Sequence, residues 1–214
     1  MDEAKPVSPT RRRVAVFAAV TLAASAIKLT EDVLAQESGP IDTAVLWFVR
    51  DHMPAATDAF FLRVTQSGSM AFLLPACVAT ALLLLCFGRR FEALLVSAST
   101  LSAPLLVYVL KALVGRARPT LWETQTYWGS SFPSGHTLAV AAFATATALC
   151  LARIWPRAAT ASMLVALLWA GLVALSRLVL GVHWPSDVLV ALCLGAFIPL
   201  AYSVAFDRGT APIR

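Results

Sequence analysis

Long apolar runs dominate this chain and constrain its fold more than any other feature. A helix that crosses a bilayer needs about 20 consecutive, mostly apolar residues. Five runs meet that requirement: Met70–Gly88, Ala93–Leu110, Ser134–Ala152, Ala158–Leu175 and Val188–Phe206. Of the 214 residues, 59% are apolar and only 14% are charged, where a soluble domain carries about 25% charged residues. This composition argues against a soluble enzyme, a disordered regulator and a disulfide-rich secreted module.

A weaker sixth run, Val14–Ala35, has two interpretations. Its apolar stretch stops at Lys28 and two acids follow. As a retained span, it would let Lys28 reach the membrane interface. As a signal peptide, it would combine the basic Arg11–Arg13 with a small-residue cleavage site at Ala24–Ala26. We favour the span and predict an all-α polytopic membrane protein, with six transmembrane helices in a single membrane-embedded domain over residues 1–214.

The positions of lysine and arginine predict the orientation of these spans. With the N-terminus in the cytoplasm, residues 1–13 form a cytoplasmic tail and six spans return the C-terminus to the same side. The basic residues then placed in the cytoplasm are Lys5, Arg11, Arg12, Arg13, Arg89, Arg90, Arg153, Arg157, Arg208 and Arg214. The net charge of +5 therefore follows mainly from topology, and we expect no nucleic-acid partner.

Two outer segments mix polar and apolar residues. Residues 36–68 predict short amphipathic helices lying at the outer interface. Residues 120–132 contain Trp122, Glu123, Tyr127 and Trp128, which predict either a rim over a pocket or, more simply, an aromatic anchor. Trp47 and Trp184 are expected in the same aromatic belt. We expect substrate specificity to depend on these two segments.

The first unusual polar segment is Lys111–Pro119, after the third predicted span. Lys111 and Arg118 are seven residues apart, so a continuous helix would place both on one face. Two such cations suit an anion with several oxygens, because arginine offers a planar fork and lysine a point charge. Taken alone, cations that reach the interface from a helix end explain this segment equally well.

The second segment, Pro133–His136, directly precedes the heart of the fourth span. Ser134 is a candidate N-cap, and Gly135 allows an anion to approach the exposed N–H groups of a helix start. His136 would lie in that first turn. An ordinary turn with an interfacial histidine is the alternative.

The third segment is Ser176–Asp187, between the last two spans. Pro185 suits the first position of a helix, which places Asp187 in the first turn, where the helix dipole favours an ionised carboxylate. A carboxylate near His183 would fix its tautomer and free the other ring nitrogen to attack. A simple capping aspartate is the alternative. In the predicted topology all three segments face the same side of the membrane. The third histidine of the chain, His52, lies outside them and is interpreted as an exposed loop residue.

Together these segments resemble the signature of the type 2 phosphatidic acid phosphatase superfamily. That signature is Lys, six residues, Arg-Pro; then Pro-Ser-Gly-His; then Ser-Arg, five residues, His, three residues, Asp, and residues 111–187 match it without a departure in spacing. The superfamily includes bacterial undecaprenyl-diphosphate and phosphatidylglycerophosphate phosphatases and soluble vanadium haloperoxidases. The six-span pattern extends the resemblance to most of the chain.

The resemblance implies a role for each matching residue. His183 is expected to attack phosphorus and form a phosphohistidine, Asp187 to orient His183, and His136 to protonate the departing oxygen. The groups expected to hold the phosphate oxygens are Lys111, Arg118, Ser134, Gly135 and Arg177. Arg116 lies outside the pattern and is interpreted only as a nearby cation.

Electrostatics agree with these roles. Phosphoryl transfer depends on positioning and charge stabilisation, which three cations and a helix terminus can supply. The acids on this face form no tight cluster, so we expect no metal and no cofactor. A phosphate that meets the polar side while its lipid tail stays among the spans indicates a membrane lipid phosphate or diphosphate. The bilayer is the other expected partner, and the oligomeric state cannot be read from these patterns.

The leading hypothesis is a metal-independent lipid phosphatase of a bacterial inner (plasma) membrane, with its site facing the periplasm or exterior. Undecaprenyl diphosphate, phosphatidylglycerophosphate, phosphatidate and lipid A phosphates all remain candidate substrates. A phosphotransferase could use the same phosphohistidine with a lipid or sugar acceptor. A non-catalytic lipid transporter is disfavoured because His136, His183 and Asp187 are all present, and a haloperoxidase because those relatives are soluble.

Overall fold

The computed structural model describes residues 9–122 and 129–209, and every regular element within them is helical. The long helices are α1 (Pro9–Leu34), α2 (Gly39–His52), α3 (Asp58–Gln66), α4 (Met70–Cys86), α5 (Arg90–Val114), α6 (Gly135–Ile154), α7 (Ala159–Val179) and α8 (Pro185–Gly209). Single 3-10 turns at Ala55–Thr57 and Pro156–Ala158 precede α3 and α7. The all-α prediction is confirmed.

Five of the described helices, α1 and α5 to α8, are individually long and apolar enough to cross a bilayer. With only 17 residues, α4 meets the requirement together with α3, to which it is joined at a bend of 43°. Counting this bent pair as one span gives six. The sequence had placed α3 among the interfacial helices, because nine residues with several polar side chains do not form a span alone.

The bend between α3 and α4 lies against the centre of the bundle. Ser69 begins α4 as its N-cap, and its hydroxyl accepts a hydrogen bond of 3.3 Å from the backbone N–H of Phe72. Gly68 is buried at the bend, where a Cβ would lie 2.7 Å from Cγ1 of Val173 and 3.2 Å from the carbonyl oxygen of His136. The small side chain therefore lets this corner pack directly on α6 and α7.

Helix α6 is the central helix of the bundle and packs against α5, α7 and α8. In its most apolar stretch 61% of the residues are buried, against 11% in α1. Much of α6 is alanine, and α8 presents Gly195, where a Cβ would lie 2.6 Å from the carbonyl oxygen of Leu138. Small residues at such positions bring helix backbones together, which is how helices associate in membranes.

The polar segments of the sequence meet at one end of this bundle. The C-terminal ends of α5 and α7 and the N-terminal ends of α6 and α8 all lie there. The backbone N–H of Ser134 donates to the carbonyl oxygen of Asp187 at 3.2 Å, which ties the starts of α6 and α8 together. The fold thus brings segments that are distant in sequence into a single polar cluster.

Candidate active site

His183 lies in the turn between α7 and α8 and is only 2% exposed. Its Nδ1 is 3.6 Å from Oδ2 of Asp187, slightly longer than a hydrogen bond. Such a contact can shorten when a substrate binds. Burial lowers the pKa of His183 to about 4, although the Asp187 carboxylate opposes that effect. The imidazole is therefore neutral near pH 7, as a nitrogen nucleophile must be.

Asp187 is held rigidly in the first turn of α8. Pro185 begins that helix, and Oδ2 of Asp187 accepts a hydrogen bond of 2.9 Å from the backbone N–H of Trp184. This is the reciprocal half of a capping box, with an acid reaching back to the residue before the helix. The side chain is fully buried. The carboxylate predicted beside His183 is thus in place.

Lys111 and Arg118 converge, but not on one helix face as the sequence predicted. Helix α5 ends at Val114, because Gly115 adopts the left-handed conformation with φ of 63°. Arg118 lies beyond that end, where its Nη1 donates to the carbonyl oxygen of Val182 at 2.7 Å and lies 3.4 Å from Nε2 of His183. Lys111 and Arg118 both contact the carbonyl oxygen of Ser130, so the loop before α6 joins them.

The start of α6 carries the second predicted segment. Ser134 occupies the N-cap position, yet its hydroxyl contacts Oγ1 of Thr137 at 2.9 Å and caps no backbone N–H. The predicted N-cap position of Ser134 is therefore confirmed, although its side chain bonds to the threonine hydroxyl instead of to a backbone N–H. Gly135 begins α6 and His136 follows in its first turn, as expected.

Arg177 is almost completely buried near the end of α7, with 1% of the residue exposed. Its Nη1 donates a hydrogen bond of 2.7 Å to Oγ1 of Thr65, a buried residue of α3. A buried guanidinium is costly unless its donors find acceptors. The partner in α3 was not anticipated from the sequence, which assigned that segment to the interface.

The predicted ionisable residues act on one another electrostatically. The His136 imidazole lies within electrostatic range of three cations, Arg177, Arg118 and Lys111. Asp187 in turn acts on both Lys111 and His183. Two imidazoles, one carboxylate and three cations are thus grouped at this end of the bundle.

Sequence reasoning missed a second group of residues behind Asp187. Arg116, interpreted as a nearby cation, donates to Oδ1 of Asp187 at 2.8 Å and to Oδ2 of Asp42 at 2.7 Å. Asp42 belongs to α2, far outside the three motifs, and is 2% exposed. The signal available for Arg116 was its position two residues before Arg118. No local pattern indicated Asp42.

Aromatic residues of the outer segments pack over the loop that carries His183. Trp122 lies so close to Gly181 that a Cβ there would be 2.7 Å from the indole ring. Trp47 and Arg50 of α2 flank Trp122, with its ring centroid 5.5 Å from the Trp47 ring and 5.5 Å from the Arg50 guanidinium carbon. The predicted rim residues Glu123, Tyr127 and Trp128 lie outside the described residues. His52 is exposed, as expected, although it ends α2 instead of lying in a loop.

Comparison with known proteins identifies the family. The sequence model of the PAP2 superfamily matches residues 92–210, more than half of the chain. Phosphatidylglycerophosphatase B of Escherichia coli K12 is 44% identical over 70 residues, which are 33% of this chain and 26% of that protein. Lipid A 1-phosphatase of Rhizobium johnstonii is 36% identical over 114 residues, covering 49% of this chain and 43% of that protein. The chain thus spans less than half the length of these two curated relatives.

Two further similarities cover more of the chain. Phosphatidylglycerophosphatase B of Bacillus subtilis is 30% identical over 138 residues, 63% of this chain and 68% of that protein. The crystal structure of the transmembrane PAP2-type phosphatidylglycerolphosphate phosphatase from Bacillus subtilis superposes with a TM-score of 0.82 and 25% identity, over 92% of this chain and 100% of that one. Aquifex aeolicus LpxE shares the fold, with a TM-score of 0.62 and 22% identity over 75% of this chain and 93% of that one. The resemblance noted from the three motifs is confirmed, and the chain belongs to the PAP2 superfamily.

Proposed function

We propose that this protein hydrolyses a membrane lipid phosphate or diphosphate through a phosphohistidine formed on His183. The observation that carries the proposal is the environment of that residue. A buried, neutral imidazole has Asp187 beside Nδ1 and Arg118 beside Nε2. A nucleophile needs this combination of a fixed tautomer and a nearby cation that attracts the phosphate.

In the first step, the Nε2 lone pair of His183 attacks phosphorus and the bond between phosphorus and the leaving oxygen breaks. His136 gives its proton to that oxygen. The ring becomes a phosphorylated imidazolium, whose remaining N–H faces the Asp187 carboxylate. In the second step, water attacks phosphorus, the P–N bond breaks, and His136 takes a proton from the water. Free phosphate then leaves and His183 is regenerated.

Protein cations take the place of metal ions in this proposal. Lys111, Arg118 and Arg177 would bind the phosphoryl oxygens, together with Ser134 and the N–H groups at Gly135. In residues 9–122 and 129–209, no group of three His, Cys, Asp or Glu side chains could hold a metal ion. We therefore predict activity in the presence of EDTA.

The proposed substrate class rests on the helices around the site and on the relatives' names. Those names concern phosphatidylglycerophosphate, lipid A and, in Mycobacterium tuberculosis, decaprenylphosphoryl-5-phosphoribose, all of them lipid phosphates. We propose that residues 1–214 form a single membrane-embedded domain. The lipid tail of the substrate would then lie between its spans. Its site would face the periplasm or exterior, with both termini in the cytoplasm.

The test is phosphate release from a panel of lipid phosphates by purified protein in EDTA, ranked by kcat/KM. Undecaprenyl diphosphate, phosphatidylglycerophosphate, phosphatidate and lipid A should be compared under one detergent condition. We expect release from at least one of them, inhibition by vanadate, and no release by His183→Ala. Repeating the assay with lipid and sugar acceptors distinguishes hydrolysis from phosphotransfer, because a transferase would yield a new phosphorylated product. Absence of release from every lipid would refute the proposal.

A further inference from the structure

Arg116 lies between two buried carboxylates that come from distant parts of the chain. Its Nη1 donates to Oδ1 of Asp187 at 2.8 Å, and its Nη2 donates to Oδ2 of Asp42 at 2.7 Å. Only 3% of the Asp42 side chain and 16% of the Arg116 side chain are exposed. Buried carboxylates require a partner charge and hydrogen bonds. Arg116 supplies both to each of them.

Asp42 also binds the first turn of α8 directly. Its Oδ1 accepts from the backbone N–H of Ser186 at 2.9 Å, and its Oδ2 accepts from the Ser186 hydroxyl at 2.6 Å. The same hydroxyl accepts from Nη1 of Arg116 at 2.7 Å. Ser186 immediately precedes Asp187. Helix α2 therefore fixes the position of Asp187 by two routes, one through Arg116 and one through the backbone of α8.

The partners of Arg116 separate it from the phosphate-binding cations. Besides Asp42, Ser186 and Asp187, it contacts Oγ of Ser38 at 3.2 Å, and its guanidinium carbon lies 5.4 Å from the centre of the Trp184 ring. Its donors are thus directed to α2 and to the start of α8. Arg118, two residues later, is the cation that contacts the nucleophile instead.

We propose that Asp42 and Arg116 are positioning residues, which hold Asp187 in the orientation that aligns His183 for attack. This inference rests on the proposed function of His183, and it extends the site to α2, outside the three motifs. In this proposal neither residue binds the phosphate. Their effect passes through the Asp187 carboxylate, since it is the group that both Arg116 and the His183 ring approach.

The experiment compares Asp42→Asn, Arg116→Gln and the double variant with two matched controls. Asp51→Asn and Arg63→Gln change exposed residues of α2 and α3 in the same outer segment. We expect each test variant to lower kcat about tenfold or more with little change in KM, because a small misplacement of a catalytic group is costly. The controls should match wild type. The double variant should be no slower than the slower single variant, because both residues act through the same carboxylate.

The pH profile gives a signature that a merely structural role would not produce. The charged groups around the Asp187–His183 pair are Asp42, Lys111, Arg116, Arg118, His136 and Arg177. Removing the Arg116 cation makes protonation of His183 easier, so the acidic limb of kcat/KM should move to higher pH. Removing the Asp42 anion should move it to lower pH. Opposite shifts from two partners of one ion pair support positioning by charge, and shifts in the same direction, or none, contradict it.

Binding of orthovanadate, followed as thermal stabilisation in detergent, tests the inference independently of turnover. Vanadate coordinates a correctly placed imidazole nitrogen, so both variants should bind it more weakly than wild type. If wild type binds vanadate but releases no phosphate, the proposed function fails and vanadate affinity alone decides the inference. If wild type releases phosphate and the variants equal their controls, the inference fails and the function stands. If wild type neither binds vanadate nor releases phosphate, the proposed function and the inference are both overturned.

The inference can still be tested if a variant does not fold. If Asp42→Asn or Arg116→Gln is not recovered in folded form, Asp42→Glu and Arg116→Lys keep each charge but change its reach. The inference expects both to retain the wild-type acidic limb while kcat falls, since the charge remains but its geometry is altered. An unchanged kcat in these charge-preserving variants contradicts it.

Discussion

The motif segment, residues 111–187, and the outer segment, residues 36–68, contribute to one site in different ways. The motif segment supplies the groups that would meet the phosphate, and each of them belongs to a recognisable spacing. The outer segment supplies no such group. It supplies Asp42 to Arg116, Thr65 to Arg177 and a closely packed Gly68 behind His136.

This difference shows that the recognisable residues are not sufficient to define the site. Arg177 is buried and Arg116 largely so, and both use acceptors that the motifs do not provide. Two of those acceptors come from helices that the sequence assigned to the interface. The outer segment was expected to influence specificity, but its contacts predict that it also controls the rate of reaction.

The largest expected effect tests the division between the two regions directly. His183→Ala should lower kcat by about 10³-fold or more, because it removes the proposed nucleophile. His52→Ala, in the outer segment, should leave kcat unchanged, since His52 is exposed and its ring stacks on Phe48 of its own helix. Phosphate release in detergent measures both. Comparable losses in the two variants would show that the regions do not differ as proposed.

The second prediction concerns how the stability of the folded protein depends on pH. The pKa of His183 is lowered to about 4 in the folded protein by burial, whereas an unfolded histidine titrates near 6.5. Between these values the unfolded state binds more protons, so stability falls as pH decreases from about 6.5 to 4, by up to about 3 kcal/mol. Thermal unfolding at pH 7.5 and 5 should show a weaker pH dependence in His183→Gln than in wild type. The exposed His52→Gln variant should retain the full dependence, and an equal reduction there would assign the effect elsewhere.

A smaller effect is expected from Thr65→Val, which removes the hydroxyl that accepts from Arg177. The replacement conserves shape, so the loss is that of one hydrogen bond to a charged group, and kcat/KM should fall about tenfold. Thr147→Val is the matched control, because the Thr147 hydroxyl donates to the carbonyl oxygen of Phe143 in its own helix. Steady-state kinetics with one lipid phosphate gives kcat/KM for both variants. If the two variants have equal kcat/KM, the outer segment does not support Arg177.

The smallest expected effect comes from Gly68→Ala at the bend before α4. The added methyl group meets the end of the Val173 side chain and approaches the backbone of His136, so the first turn of α6 must shift slightly. We expect a reduction of about threefold in kcat/KM and a small loss of thermal stability, as for moderate overpacking. Gly39→Ala is the control, because nothing lies within 4 Å of the Cβ position there. A larger effect at Gly39 than at Gly68 would contradict this account of the corner.

The sequence predicts the fold well where a single helix forms a span. Runs of about 20 apolar residues have few alternatives to a membrane helix, so α5 to α8 follow from composition alone. It fails at α3, because a nine-residue helix with several polar side chains cannot be distinguished from an interfacial helix. It also fails at Arg118, because a helical spacing says nothing about where Gly115 ends the helix.

Site residues were predictable to the extent that they belong to local spacings. His183 and Asp187 are four residues apart and their proximity follows from a helix start. Asp42 and Arg116 are separated by 74 residues and Thr65 and Arg177 by 112, and one sequence contains no pattern that links them. Such pairings are decided by the packing of whole helices.

The pairing of Asp42 with Arg116 has a consequence for biogenesis. A ribosome completes α2 well before it reaches Arg116, which lies beyond α5. During that interval the Asp42 carboxylate lacks its partner and is stable only in contact with water. Helix α2 can therefore reach its final place only after the segment following α5 has emerged, and the interior of this site closes late in assembly.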